Sequence, residues 1–120
     1  MEDTQLNLAG VPMRNRVIVA AGCHGADGDT IVRTSREGVA AVTTKTIVAQ
    51  AVEDVRPCFS AVEGGFLNCV FGTTLPAEQW FERELPRAKS AVSGQRSAVS
   101  GGAPPPVIIA SLAGLNPAEA

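Results

Sequence analysis

One lysine interrupts a stretch that otherwise has the composition of a buried β-strand. Residues 40–48 read Ala-Ala-Val-Thr-Thr-Lys-Thr-Ile-Val, a short run rich in the β-branched side chains that fill parallel sheets. Burying an ammonium group is costly unless something pairs with it. Lys45 therefore indicates a ligand, because active sites in β/α proteins lie at strand ends. The alternative is that Lys45 marks the strand's exit and extends into solvent.

The composition limits the classes of function. The chain has 120 residues, of which 45% are apolar and 18% charged, which is typical of one globular domain. A net charge of −2, no basic block, four Phe and one Trp argue against a nucleic-acid surface. No apolar run is long enough to span a membrane, and no secretory signal is visible. We therefore expect a cytoplasmic protein with neither nucleic-acid nor membrane partners.

Three widely spaced cysteines, Cys23, Cys58 and Cys69, are typical of a reduced cytoplasmic protein rather than of a disulfide framework. With His24 they could be considered as a zinc site. Structural zinc sites favour a close C-x2-C pair, however, and the sequence has none. We therefore predict no metal site.

The first half of the chain has the size and order of a βαβ unit. Residues 5–15 predict a short hairpin that turns at Gly10. Residues 16–21 predict a strand, and a helix is expected between the start signal at Asp27 and the stop signal at Gly38. The strand that carries Lys45 follows directly.

The second half continues the alternation. Residues 49–74 predict a long irregular stretch. Residues 75–89 predict a helix that kinks or stops early at Pro86. Residues 90–106 are rich in Ser, Gly and Pro and predict a flexible linker, and residues 107–114 predict a third buried strand. This order favours an α/β fold with a parallel sheet or barrel.

The last residues have the form of a helix start. Asn116 is a good cap, Pro117 suits the first helical position and Glu119 suits the first turn. We expect the 120 residues to be a fragment of a longer domain and to be inactive alone.

Four stretches resemble a known family. They are residues 7–22, 38–47, 65–68 and 107–111. They look like the first strand, the flavin-contacting second strand, the substrate loop and the third strand of class I dihydroorotate dehydrogenases. The flavin domain of dihydropyrimidine dehydrogenases, in the same superfamily, is similar too. The resemblance implies that residues 1–120 are the N-terminal portion, about three strands, of an FMN-binding TIM (β/α)8 barrel, which takes about 250 residues when complete.

The resemblance also implies an FMN site. Ala21 and Gly22 would approach the flavin through backbone atoms. Thr46 and Ser111 would contact FMN, and Lys45 would lie near both the flavin and the substrate. A fixed positive charge there would stabilise the anionic reduced flavin.

A substrate loop is implied as well. Asn68 would hydrogen-bond the pyrimidine edge, and Lys45 would also bind the substrate. Without the resemblance, a turn residue that satisfies local backbone groups is the favoured interpretation of Asn68. The remainder of the implied loop is Cys69, Val70, Phe71 and Gly72. The family's catalytic base, a Cys or Ser, would lie beyond Ala120, so no catalytic residue is assigned within this segment.

The implied reaction is FMN-dependent oxidation of the CH–CH bond of a dihydropyrimidine, in first place dihydroorotate to orotate in pyrimidine biosynthesis. Arg16 stands where the family usually has Pro, and Phe71-Gly72 stands where dihydroorotate enzymes have Gly-Leu. The alternatives are therefore a dihydropyrimidine dehydrogenase-like reduction in pyrimidine catabolism and a truncated, non-catalytic remnant. An electron-transfer partner subunit and a homo-oligomer of the full-length protein are also implied.

Overall fold

The structure is a computed structural model that describes residues 6–54, 56–97 and 102–114. The described part of the chain begins with a tight hairpin. Strand β1 (Asn7–Leu8) pairs antiparallel with β2 (Val11–Pro12). Gly10 between them has a φ of 86°, a left-handed conformation that glycine adopts without steric cost. Its amide donates a hydrogen bond to the Asn7 side chain at 2.7 Å. The predicted turn at Gly10 is confirmed.

The predicted βαβ unit is also present. Strand β3 (Ile18–Val19) pairs parallel with β4 (Ala41–Thr43), and helix α1 (Gly28–Ser35) connects them. The Asp27 carboxylate accepts a hydrogen bond from the Thr30 amide at 2.7 Å, and the Thr30 hydroxyl accepts one from the Asp27 amide at 2.9 Å. This reciprocal capping box explains why α1 begins where the sequence predicts.

The strand predicted over residues 40–48 is divided in two. It consists of β4 and, after Thr44–Thr46, strand β5 (Ile47–Val48). The prediction of one continuous strand is therefore wrong at its centre, where Lys45 lies.

A second hairpin occupies part of the stretch predicted to be irregular. Strand β6 (Phe59–Val62) pairs antiparallel with β7 (Gly65–Asn68), so the prediction for residues 49–74 is wrong there. Gly64 in the turn has a φ of 80°. Two short runs of mainly apolar residues on either side of Glu63-Gly64 are the feature of the sequence that indicates this hairpin.

The predicted helix over residues 75–89 is present but passes through Pro86. It consists of α2 (Ala77–Gln79), a π-helical segment (Trp80–Glu84) and α3 (Leu85–Ser93). Proline clashes with the carbonyl four residues earlier in a regular α-helix. The widened π turn lies just before Pro86, and the Leu85 amide donates to the Trp80 carbonyl five residues back. Pro86 then occupies the first turn of α3, where proline is tolerated.

The predicted linker over residues 90–106 begins too early. Its first residues belong to α3, and Gly94–Ser97 forms a 3₁₀ turn. The Gln95 side chain donates to the Ser35 hydroxyl at 2.8 Å, which ties this turn to α1. Residues 98–101, and the helix start predicted at residues 116–119, lie outside the described residues.

The central sheet is parallel, and each later strand of the chain is added at the same edge. Strand β8 (Val107–Ile109) pairs with β4, so the order is β3-β4-β8. Strand β9 (Leu112–Ala113) pairs parallel with β5 and continues the same two strands. Each βα unit adds its strand beside the previous one. This mixed α/β architecture is compatible with part of a TIM barrel.

The larger of two hydrophobic clusters in the described residues lies where helix α1 and the helix that contains Pro86 pack against this sheet. Its buried members are Ile31 of α1, Val42, Ile47, Trp80 and Ala88. In the ranges described, no helix combines the length and apolar character that crossing a membrane requires.

Thr73 connects the sheet to the π segment. Its amide donates to the Thr46 carbonyl at 2.9 Å, and its carbonyl accepts from the Val52 amide at 3.1 Å. Its hydroxyl accepts from the Trp80 indole at 2.9 Å and from the Leu75 amide at 3.1 Å. Thr73 and Trp80 are both fully buried. The four hydrogen bonds therefore hold strand, loop and helix together away from water.

We expect Thr73→Val to destabilise the protein by about 1–3 kcal/mol, because it leaves the buried Trp80 indole and the Leu75 amide without their acceptor. Thr73→Ser keeps the hydroxyl and should recover most of that loss. Thr74→Val, at the exposed neighbouring position, should change stability by less than about 0.5 kcal/mol. Denaturant unfolding of the purified protein measures all three. Equal stability of Thr73→Val and wild type would contradict this account.

Candidate functional site

Most of the predicted site residues line one cleft at the carboxyl ends of the central strands. The cleft has a volume of about 1020 Å³, large enough for a cofactor-sized molecule. The predicted residues on its wall are Ala21, Gly22, Lys45, Thr46, Asn68, Cys69, Val70, Phe71 and Gly72. They come from the end of β3, the break between β4 and β5, and the segment that follows β7. The structure thus brings together residues that are up to 51 positions apart, from Ala21 to Gly72.

A one-residue bulge presents Lys45 to the cleft. Thr43 is paired with Ile109, and the next pair is Ile47 with Leu112. Between these pairs one strand has three residues, Thr44–Thr46, and its neighbour has two, 110–111. Bulges of this kind redirect a side chain and are frequent beside active sites. The break in the predicted strand is therefore a feature of the site.

The environment of Lys45 differs from that of a buried strand lysine. Its side chain is half-buried, and its amide donates to the Gly25 carbonyl at 2.8 Å. Among the described residues, no side-chain hydrogen bond or ion pair of Lys45 occurs. Because the side chain is only half-buried, the full cost of burying a charge is not incurred, and the ammonium group can reach a ligand in the cleft.

Ser111 is the predicted FMN-contacting residue that does not line the cleft. It lies behind Thr46, with 3.0 Å between the two hydroxyl oxygens. Its amide donates to the Thr44 hydroxyl at 3.0 Å, and its carbonyl accepts from the Ile47 amide at 2.8 Å. In this structure Ser111 supports the bulge, and its predicted contact with FMN stays a prediction.

The segment that carries Asn68 is packed closely against the sheet at its far end. A Cβ atom at Gly72 would lie 3.0 Å from the Thr46 carbonyl oxygen and 3.0 Å from a Val48 methyl group. Glycine at this position lets the segment approach the sheet without displacing these atoms. The exposed Asn68 side chain is thus held over the cleft by an anchored segment.

Three charged residues on the cleft wall were not predicted. They are Glu53, Asp54 and Arg56. Asp54 and Arg56 form an ion pair at 2.8 Å, but both side chains are largely exposed, so the pair contributes little to stability. The feature of the sequence that could have indicated these three residues is their clustering between apolar residues.

The cysteines do not assemble a metal centre in the described part of the chain, where no three His, Cys, Asp or Glu side chains are grouped to hold an ion. Cys23, Cys58 and Cys69 all line the cleft, whereas His24 is exposed outside it. The His24 carbonyl accepts a hydrogen bond from the Thr34 hydroxyl at 3.0 Å, which joins the 3₁₀ turn to α1.

Comparison with known proteins gives a consistent set of relatives. The dihydroorotate dehydrogenase B (NAD(+)) catalytic subunit of Methanosarcina acetivorans is 40% identical over 115 residues, which are 94% of this chain and 33% of that protein. The protein of the same name from Methanosarcina mazei is 35% identical over 114 residues, which are 93% of this chain and 32% of that protein. The one from Methanocaldococcus jannaschii is 31% identical over 84 residues, which are 69% of this chain and 27% of that protein. No protein-family model matches the chain.

The chain is similar to one part of dihydroorotate dehydrogenase B catalytic subunits. It spans about a third of the length of the two Methanosarcina relatives and 27% of the length of the Methanocaldococcus relative. These matches support the resemblance to dihydroorotate dehydrogenases, and they do so only for the matched part of those proteins.

Two nearby glycines should respond differently to substitution. A Cβ atom at Gly25 would overlap the Thr43 carbonyl oxygen, whereas one at Gly22 would meet no atom within 4 Å. We expect Gly25→Ala to destabilise the protein by about 1–3 kcal/mol through overpacking. Gly22→Ala should change stability by less than about 0.5 kcal/mol. Thermal unfolding checks both, and equal losses would contradict the different packing at the two positions.

Proposed function

We propose that this chain forms the first three strands of an FMN-dependent barrel that oxidises the CH–CH bond of a dihydropyrimidine, with dihydroorotate as substrate and orotate as product. The observation that carries the proposal is the cleft, in which nine residues selected from the sequence resemblance share one wall. The names of the curated relatives support the choice of dihydroorotate.

The residues on the cleft wall fit a flat aromatic cofactor. Gly22 has extended backbone and open space where a side chain would stand. Lys45 offers a cation with no described partner, and the volume of about 1020 Å³ is ample. Bound FMN would supply the hydride chemistry that amino-acid side chains lack.

The remaining chemistry belongs to this chain's own residues. With FMN bound in the cleft, the Lys45 ammonium group would supply a fixed positive charge beside it and would stabilise negative charge that develops there. The Asn68 amide can both donate to and accept from the polar edge of a pyrimidine. Thr46 is positioned by its hydroxyl contact with Ser111. The proton on the substrate carbon would be taken by a base outside these 120 residues.

The names of the relatives include NAD(+) and describe each of them as a catalytic subunit. We therefore extend the proposal to a partner subunit that passes electrons to NAD(+). The full-length cytoplasmic protein would also form a homo-oligomer.

The direct test uses the full-length gene product. We expect it to purify with flavin absorbance, and we expect anaerobic addition of dihydroorotate to bleach that absorbance. Bleaching by dihydrouracil alone would replace dihydroorotate oxidation with a dihydropyrimidine dehydrogenase-like activity. A protein that neither purifies with flavin nor binds added FMN would be the non-catalytic remnant and would overturn the proposal.

Lys45→Met should retain flavin and lower the rate of reduction by dihydroorotate by roughly 10²–10³-fold, the usual effect of removing one preorganised electrostatic group. Lys89→Met is the matched control, because Lys89 is exposed on α3 and does not line the cleft. Stopped-flow absorbance measures both rates. Reduction of Lys45→Met at the wild-type rate would remove Lys45 from the reaction.

Gly22→Leu tests the close approach of a cofactor to the strand end. The protein has space for the side chain, but the side chain would occupy the cleft. We expect the variant to fold and to lose FMN, as measured by the ratio of flavin to protein absorbance. Full retention of FMN would show that the cofactor does not lie against Gly22.

A further inference from the structure

The hairpin β6–β7 places two cysteines opposite each other. Phe59 is paired with Asn68, so Cys58 and Cys69 are the next residues in the same antiparallel register. The Cys69 amide donates to the Cys58 carbonyl at 2.8 Å, which shows that the ladder extends to this pair. The sequence spacing alone gave no sign of the pairing.

This position suits a disulfide bond. Directly opposite residues that exchange hydrogen bonds in an antiparallel pair have Cα atoms about 5.5 Å apart. Disulfides join Cα atoms about 4.4–6.8 Å apart. Their Cβ atoms lie about 3.5–4.5 Å apart, closer than the roughly 5.5 Å of a hydrogen-bonded pair, so closure must draw the two strands together and gives an easily reduced bond. Directly opposite side chains also project from the same face of the hairpin. Cys58 is half-buried and Cys69 is exposed, so a small reagent can reach the pair.

We propose that Cys58 and Cys69 are a redox-active dithiol, a modification site that closes reversibly to a disulfide beside Asn68. The proposal goes beyond the oxidoreductase function above and does not depend on flavin. It is compatible with a reduced cellular compartment, because the bond would form only on exposure to a disulfide oxidant.

The reaction is thiol–disulfide exchange with a small-molecule disulfide such as oxidised glutathione. One cysteine thiolate attacks a glutathione sulfur, forms a mixed disulfide and releases one glutathione thiolate. The second cysteine thiolate then attacks the protein sulfur of that mixed disulfide and releases the second glutathione. The two cysteines together lose two protons and two electrons, and one oxidised glutathione becomes two reduced molecules.

A disulfide bond at this position would change the stability of the hairpin. Every residue from Phe59 to Val70 is exposed, so the ladder has little buried apolar surface of its own. Isolated two-stranded hairpins are marginally stable. A covalent link at the open end, next to Asn68, would therefore restrict the strand pair that borders the cleft.

The test treats the reduced, purified protein with oxidised glutathione and maps the products by mass spectrometry. Cleavage after glutamate separates the two cysteines, because Glu63 lies between them. We expect the intact mass to fall by two hydrogens, residues 54–63 and 64–78 to be joined, and dithiothreitol to release them. Amide exchange in β6 and β7 should slow in the oxidised protein.

Cys23→Ser is the matched control, because Cys23 lines the same cleft but is not in the hairpin. We expect this variant to form the same link as wild type. Cys58→Ser and Cys69→Ser should instead each retain glutathione on the remaining hairpin thiol. A link to Cys23, glutathione adducts without a link in wild type, or no reaction would each overturn the proposal. Wild type and Cys23→Ser decide the question even if the hairpin variants fail to fold.

Discussion

The site depends on the hydrogen bonds of one buried threonine. Thr73 accepts from Trp80 and Leu75 through its hydroxyl and bonds through its backbone to Thr46 and Val52. Because these groups are away from water, each needs a partner within the protein. The same contacts fix the end of the Asn68 segment against β5. The hydrogen bond that the buried Trp80 indole needs therefore helps to determine where the cleft wall lies.

A second buried contact fixes α1 relative to the helix that contains Pro86. The Glu84 carboxylate, almost fully buried, accepts from the Gly28 amide at 2.9 Å, at the positive end of α1. The Gln79 side chain donates to the other carboxylate oxygen at 3.2 Å. A Cβ at Gly28 would lie 2.9 Å from this carboxylate and 3.0 Å from the Glu84 carbonyl oxygen, so the two helices approach each other closely here. Glu84 ends the π segment, so the widened turn that accommodates Pro86 also belongs to the helix contact.

The sequence predicted those elements that are determined by residues close together in the chain. The capping box at Asp27 and the turn at Gly10 depend on residues within three positions of each other. The course of the helix through Pro86 was not predictable in this way, because Trp80 must reach Thr73 and Glu84 must reach α1. Of the ten residues that the resemblance named, nine line the cleft and Ser111 does not, and the binding roles of all ten stay predictions. The place of Ser111 behind Thr46 depends on register between strands that are more than sixty residues apart in the chain.

The bulge explains how a lysine can occupy the middle of an apolar strand pair. Without the extra residue, Lys45 would be paired in the ladder, with its side chain fixed by the alternation of the strand. In the structure, both flanking threonines bond to Ser111: Thr44 accepts from its amide and Thr46 contacts its hydroxyl. The Thr44 hydroxyl thus satisfies the Ser111 amide in place of a ladder carbonyl, and the Lys45 amide donates to the Gly25 carbonyl instead of to the neighbouring strand. Lys45 is then turned toward the cleft while the strands continue as β5 and β9. One additional residue in one strand thus places Lys45 on the wall of the cleft and not in the regular pairing of the sheet.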